Sequence, residues 1–320
     1  MQANLRQRIA FIDVAKTICI FFMVIGHWTK DETLITYIYS FHMPALFVIS
    51  GYLYRPHSWK ATLISFAIPY FFFSMISLIV KLLLGELQIV ELADPRFVFR
   101  IFHYRYGLGV GMFVGDWFLW ALIGLRFMFG DITWLHWTRK YYICFAIVAI
   151  AYMTLENHLI SIDSLFRGYY VGRLVPSLPF FCLGFFLRER AWKPCHVPKI
   201  GILMMAVFPL LIPTFNHALG INDNSYGYSY LLYATNAMLA SVLVFVISDM
   251  VSTSKYIVTM SNGTLVILGL HCPLLLILNR LLPNNINILS PFITMVICYY
   301  AILVCKRYFP ALLGKITSAS

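Results

Sequence analysis

The chain has 320 residues, of which 61% are hydrophobic and 12% are charged, and its mean hydropathy is +0.79. Soluble domains carry about 25% charged residues, so this composition excludes a water-soluble globular protein and predicts a polytopic membrane protein. The net charge of +11 does not indicate a nucleic-acid partner. The basic residues are dispersed over short connections, as the positive-inside rule expects of cytoplasmic loops.

Ten apolar segments of bilayer-spanning length follow one another along the chain. They cover residues 9–29, 33–54, 61–84, 108–129, 141–156, 169–187, 200–216, 228–248, 257–280 and 289–308. The first apolar run carries Asp13 and Lys16 and lacks a small-residue cleavage site, so we expect a retained helix and not a signal peptide. We therefore predict an all-α fold in which residues 1–320 form one transmembrane domain, with about ten helices and both termini in the cytoplasm.

The first segment carries two polar residues on one face. Lys16 and His27 are eleven positions apart, which is about 1100° of rotation, roughly 20° more than three full turns, and about 16 Å of rise. Polar side chains inside an apolar helix are costly, which favours a functional role. The structural alternative is that Lys16 pairs with Asp13 at i, i+3 and extends to the lipid headgroups.

The second and ninth segments carry one histidine each. Alternating helix directions place His42 and His271 in the outer half of the bilayer, at the depth of His27, while Lys16 lies near the cytoplasm. A hydrogen-bonded core histidine is the alternative for any one of them. In the second segment Pro44 also predicts a helix break, because membrane helices tolerate such breaks where protein or a cavity satisfies the backbone.

Two further charges fall near the outer face. Asp116 precedes Trp117 in the fourth segment, and Arg173 lies in the sixth. They either pair with each other or orient a polar acceptor. The longest outer connection, Gly85–Gly107, is either a lid or an ordinary solvated loop.

Several catalytic signatures are missing. The seven cysteines show no CxxC spacing, which supports neither a disulfide framework nor a zinc site. The sequence contains no P-loop, GxSxG or HExxH motif, so ATP-driven work and zinc hydrolysis lack support, and we expect no bound metal.

The polar positions resemble the motifs of the acyltransferase-3 family of integral membrane acyltransferases, and especially its fucose 4-O-acetylase-like branch. The most specific feature is Lys16, ten residues and then His27, which resembles the family's basic-residue-x10-His motif. The resemblance covers about residues 8–310. Its other motifs are Phe41-His42-Met43-Pro44 with Ser50-Gly51-Tyr52, Trp117-Phe118-Leu119, Pro179 to Gly184, and Gly269-Leu-His271-Cys-Pro273.

The resemblance implies an enzyme of the bacterial cytoplasmic (inner) membrane, surrounded by lipid, with no permanently bound cofactor. The donor would be cytoplasmic acetyl-CoA or another acyl-CoA, and the acceptor a hydroxyl of a cell-surface sugar or polysaccharide precursor. Lys16 and His27 map onto the family's essential pair, although many relatives have arginine at the Lys16 position. Lysine offers a point charge in place of a bidentate fork.

The mechanistic hypothesis assigns His27, Lys16 and Asp13 to catalysis. His27 acts as general base on the acceptor hydroxyl or becomes transiently acylated, and Lys16 binds CoA phosphates or holds Asp13. His42 or His271 orients His27 or polarises the thioester carbonyl. Substrate-binding support is expected from Ser50, Tyr52, Asp116, Trp117 and Arg173.

Two other function classes stay open. Buried charges and a broken second helix also suit a secondary transporter or flippase for an anionic or glycan substrate, although no inverted repeat is visible. A catalytically inactive membrane scaffold is the third alternative. The sequence does not identify the acceptor sugar, the acyl chain or the oligomeric state.

Overall fold

The computed structural model of the protein describes residues 9–55, 58–87, 116–130, 140–159, 170–218, 220–221 and 225–315. Twelve α-helices occur within these ranges, and no strand beyond one isolated bridge between Gly220 and Ser225. The all-α prediction is thus confirmed for the described residues. The helices are α1 (Ala10–Trp28), α2 (Glu32–Tyr39), α3 (His42–Tyr52), α4 (Trp59–Leu83), α5 (Asp116–Met128), α6 (Tyr142–Leu159), α7 (Leu174–Glu189), α8 (Lys199–Asn216), α9 (Tyr230–Asp249), α10 (Lys255–Asn262), α11 (Thr264–Leu281) and α12 (Ser290–Tyr308).

Seven of the described segments are long and apolar enough to cross a membrane: α1, α2 with α3, α4, α8, α9, α11, and α12 with the turn before it. Helices α5 and α6 are apolar but shorter, and α7 occupies the sixth predicted segment. Each of the ten predicted segments therefore contains a helix. The count of ten crossings and the cytoplasmic placement of both termini stay predictions.

Large apolar side chains cover the outer faces of several helices. On α4, Phe71 is 63% exposed and Leu83 is 80% exposed, and on α8 Phe215 is 69% exposed. A soluble protein rarely presents apolar faces of this extent to water. Lipid tails are the solvent that such faces require, so the chain is a membrane protein.

The second segment breaks earlier than expected. The break lies at residues 40–41, between α2 and α3, and Pro44 stands in the first turn of α3. A first-turn proline is tolerated because its missing N–H would have had no helical acceptor. The prediction that Pro44 breaks the helix is therefore corrected: the break precedes it and places His42 at the start of α3.

The ninth segment is also divided, at Gly263 between α10 and α11. Helix α1 lies at the centre of the fold, where it packs against α2, α3, α9, α10, α11 and α12. The polar residues of α1 therefore face other helices, and the end of α10 and the start of α11 are among their neighbours.

Helices α3 and α7 approach each other unusually closely. A Cβ atom on Gly51 would overlap the Phe181 carbonyl, and one on Gly184 would overlap the Val48 carbonyl. Small residues at both crossing points let the two backbones meet, as in other membrane helix pairs. This contact fixes α3, which carries His42 at one end and Ser50 near the other.

Candidate active site

Three histidines from three helices meet in the structure. The rings of His27 on α1 and His271 on α11 lie 5.1 Å apart. The Tyr39 ring of α2 lies next to both His27 and His42, with centroid distances of 5.9 Å and 5.2 Å. We call His27, Tyr39, His42, His271 and Cys272 the histidine centre.

Backbone carbonyls hold two of these histidines in one tautomer. The Nδ1–H of His42 donates to the Ile38 carbonyl at 2.7 Å, and that of His271 donates to the Ile267 carbonyl at 3.0 Å. A carbonyl only accepts, so in a neutral ring the proton is on Nδ1 and Nε2 carries a lone pair. Such an Nε2 accepts hydrogen bonds. The hypothesis that either ring polarises a thioester carbonyl therefore requires an additional proton.

A hydrogen bond to Tyr39 selects the same Nδ1–H tautomer in His27. Its hydroxyl donates to the Gly26 carbonyl at 3.3 Å and lies 3.3 Å from His27 Nδ1. While its single proton is directed at Gly26, the hydroxyl oxygen accepts from Nδ1–H, and His27 Nε2 is then the basic nitrogen. A Cβ on residue 26 would lie 2.7 Å from Tyr39 Cε1, so glycine is needed for this approach.

Cys272 completes the centre. Its Sγ lies 3.2 Å from His271 Nε2, and the side chain is half-buried. One nitrogen of His27, one nitrogen of His271 and Cys272 Sγ all lie within 4.8 Å of one another. Three polar atoms this close can face one small group bound between them.

A cavity of about 280 Å³ lies along the same helices. Three cationic side chains line it, Lys16, Arg126 and Lys315, and none of its described lining residues is acidic. The guanidinium of Arg126 stacks 5.1 Å from the Phe66 ring, and its Nε is buried with no hydrogen-bond partner among the described residues. We call this the cation cavity. Its polar lining includes Ser50, Ser65, Ser261, Asn262 and Thr264.

Three helices connect the cation cavity to the histidine centre. On α1 the pair is Lys16 and His27, on α3 it is Ser50 and His42, and on α11 it is Thr264 and His271. The members are eleven, eight and seven positions apart, so the axial separations are about 16, 12 and 10 Å. The two sites are therefore ends of one unit, built on three shared helices.

Asp13 supports a wall of the cation cavity. It is buried, and its Oδ1 accepts from Ser261 Oγ at 2.6 Å. One turn further along α1, the Thr17 hydroxyl donates to the Asp13 carbonyl at 2.9 Å and also lies 3.3 Å from the Ile257 carbonyl. The contacts with Ser261 and Ile257 tie α1 to α10, so Asp13 positions Ser261, which itself lines the cavity.

The remaining predicted residues lie elsewhere. The Tyr52 hydroxyl donates to the Trp192 carbonyl at 3.3 Å, and Trp117 packs 6.1 Å from the Phe47 ring. Arg173 is fully buried next to α5. None of the three is among the described residues that line the cation cavity or form the histidine centre. The side chain of Asp116 and residues 88–107 of the predicted lid lie outside the described residues.

Several residues of these sites were not predicted from the sequence, among them Tyr39, Arg126, Cys272 and Lys315. Arg126 could have been found, because it is a basic residue inside the apolar fourth segment, the same signal that identified Lys16. Lys315 follows the last helix and reaches the cavity only because the Pro310–Leu313 turn folds back against α4 and α11.

Comparison with known proteins adds one finding. The family model of the acyltransferase-3 type, described as an acyltransferase domain, matches residues 9–306. This range includes the whole histidine centre and, apart from Lys315, the charged side chains of the cation cavity. No curated protein and no solved structure matches the chain.

Proposed function

Because the chain belongs to the acyltransferase-3 family, we propose that it is a membrane O-acetyltransferase. It takes an acetyl or other small acyl group from cytoplasmic acyl-CoA and transfers it to a hydroxyl of a cell-surface sugar or polysaccharide precursor. The membrane is the bacterial cytoplasmic membrane. The observation that carries the proposal is that three helices join a cation-lined cavity to a cluster of histidines.

The cation cavity suits the phosphate end of the donor. CoA carries several phosphate charges, and Lys16, Arg126 and Lys315 supply positive charge in a cavity whose described lining is otherwise polar or apolar. Arginine binds phosphate through a planar fork and lysine through a point charge. The axial distance from Lys16 to His27, about 16 Å, is comparable to an extended phosphopantetheine arm, so the thioester reaches the histidine centre.

The histidine centre suits the transfer step. His27 Nε2 takes the proton of the acceptor hydroxyl, the oxygen forms a bond to the acyl carbon, the bond from that carbon to sulfur breaks, and the departing thiolate takes the proton from His27. Placing a base correctly accelerates such a step by about 10²–10⁴-fold. Tyr39 keeps His27 in the basic tautomer, and Asp13 acts at a distance by holding Ser261 in the cavity wall.

The proposal is tested with membranes that contain the protein, given radiolabelled acetyl-CoA and a glycan extract. His27→Ala is expected to reduce labelling of the glycan at least 10²-fold without loss of inserted protein. The matched control is His196→Ala, which changes an exposed histidine in a short turn and should label like the wild type. Wild-type labelling by His27→Ala would overturn the proposal.

A transporter or flippase is the second candidate, favoured by the break at residues 40–41 beside the histidine centre. The same membranes distinguish it. Movement of a glycan or anion across sealed vesicles, with no acyl label on any product, would favour transport. A mass spectrum of the surface glycan, with and without the protein, identifies both the acyl group and the acceptor.

A further inference from the structure

Cys272 and His271 form a nucleophile–base pair within the histidine centre. Cys272 Sγ lies 3.2 Å from His271 Nε2, and His271 Nδ1 is 3.0 Å from the Ile267 carbonyl. Because Nδ1 donates to that carbonyl, Nε2 carries the lone pair that accepts the thiol proton. A nucleophile next to a base, with the base oriented by a third group, is the arrangement found in enzymes that form covalent intermediates.

The surroundings of Cys272 suit a thiol that accepts an acyl group and passes it on. Cys272 is half-buried, whereas Cys19, Cys182 and Cys298 are buried among apolar helices. Its sulfur and a nitrogen of His27 lie within 4.8 Å of each other. A group attached to this sulfur would therefore stand next to the base that activates the acceptor.

From this geometry we propose that Cys272 carries the acyl group as a thioester between donor and acceptor. This inference rests on the proposed function and adds the route taken by the acyl group. His271 serves the first half of the reaction and His27 the second. Donor and acceptor then need not be bound together, which suits substrates that approach from opposite faces of a membrane.

Each half-reaction balances without an added oxidant or reductant. In the first, His271 Nε2 takes the Cys272 proton, the sulfur forms a bond to the acyl carbon, and the bond to the CoA sulfur breaks. The departing CoA thiolate takes the proton from His271. In the second, His27 takes the acceptor proton, the acceptor oxygen bonds to the acyl carbon, and the Cys272 thiolate leaves and recovers that proton.

The test uses the purified full-length chain in lipid nanodiscs with radiolabelled acetyl-CoA and no acceptor. We expect label on the protein that neutral hydroxylamine releases, together with a burst of about one free CoA per chain. Cys272→Ala and His271→Ala should show neither. The matched control is Cys298→Ala on α12, where a buried cysteine is removed and labelling should persist.

Two further variants separate this inference from the proposed function. His27→Ala should still be labelled at Cys272 but should not pass the label to the glycan. Cys272→Ser, which preserves the size of the side chain, should accumulate at most an oxygen ester that resists neutral hydroxylamine. If Cys272→Ala acylates the glycan at the wild-type rate while His27→Ala does not, transfer is direct and the relay is wrong, although the proposed function stands.

A chelator provides the last comparison, because a metal ion is the other ligand that His27, His271 and Cys272 together could bind. Labelling of the protein and of the glycan should be unchanged after treatment with EDTA and removal of the chelator. Loss of protein labelling that returns with added Zn²⁺ would assign the thiol to a metal and overturn the relay.

Discussion

At the histidine centre, the position of one proton decides which nitrogen of His27 acts as a base. Tyr39 accepts from Nδ1–H only while its own proton points to the Gly26 carbonyl. Helical periodicity predicted that Lys16 and His27 share a face, because both belong to one helix. The contact to Tyr39 was not predictable in this way, since it depends on how α2 returns against α1 and on the missing side chain at Gly26.

Removal of the Tyr39 hydroxyl should slow the transfer step. Tyr39→Phe loses one hydrogen bond of about 0.5–1.5 kcal/mol, so kcat should fall about 2- to 10-fold while KM for acetyl-CoA is unchanged. The matched control is Tyr37→Phe, which removes a hydroxyl that donates to the Leu210 carbonyl at 2.9 Å, outside the centre. Equal kcat values for the two variants would show that Tyr39 does not orient His27.

Removal of a cationic side chain from the cation cavity should weaken binding of the donor. A hydrogen bond to a charged group is worth about 1.5–3 kcal/mol, so Lys16→Ala and Arg126→Ala should each raise KM for acetyl-CoA about 10- to 100-fold. Lys16→Arg retains the charge and should stay active. Lys60→Ala serves as the control, because Lys60 lies over the Trp59 ring outside the cavity. A KM unchanged by Lys16→Ala would make that lysine structural.

At the scale of the helices, the packing of α3 against α7 determines the position of the histidine centre. Gly51 and Gly184 place the two backbones in contact, and α3 carries His42 from that contact to the centre. Hydropathy predicted helices in both segments. Hydropathy could not predict where the two helices cross, because small residues on a helix surface indicate close packing but do not identify the partner helix.

A methyl group at this crossing should destabilise the protein. In Gly184→Ala the added Cβ meets the Val48 carbonyl, and overpacking of this kind costs about 1–3 kcal/mol or more. We expect a lower thermal unfolding midpoint in detergent. The control is Gly201→Ala on α8, where the nearest atom is a Val197 side-chain carbon at 3.3 Å. Equal midpoints for the two variants would contradict the close contact.

Across the whole molecule, the two sites are expected to differ in their depth in the membrane. Lys16 and His27 are separated by about 16 Å along α1, which is roughly half the hydrocarbon thickness of a bilayer. Composition and segment lengths were sufficient to predict a membrane fold. They could not predict Lys315 in the cation cavity, because its position depends on a turn that packs against two distant helices.

This difference in depth predicts that the donor is used from one side. Sealed inside-out vesicles, which expose the cytoplasmic face, should consume added acetyl-CoA, and right-side-out vesicles should not until they are permeabilised. The expectation follows from the positive-inside rule, which places Lys16 near the cytoplasm. Equal consumption by both kinds of vesicle would show that the cation cavity is open to the other face.

The absence of acidic residues from the described lining of the cation cavity has an electrical consequence. On the proposed function, the phosphates of the donor stay beside Lys16, Arg126 and Lys315, and only an uncharged acyl group continues to the histidines. The acyl group moves outward and a hydrogen atom returns on the CoA thiol, so no net charge crosses the transmembrane field. The transfer is therefore electroneutral. The transmembrane field does work only on charge that moves across it, so the membrane potential neither drives the transfer nor opposes it.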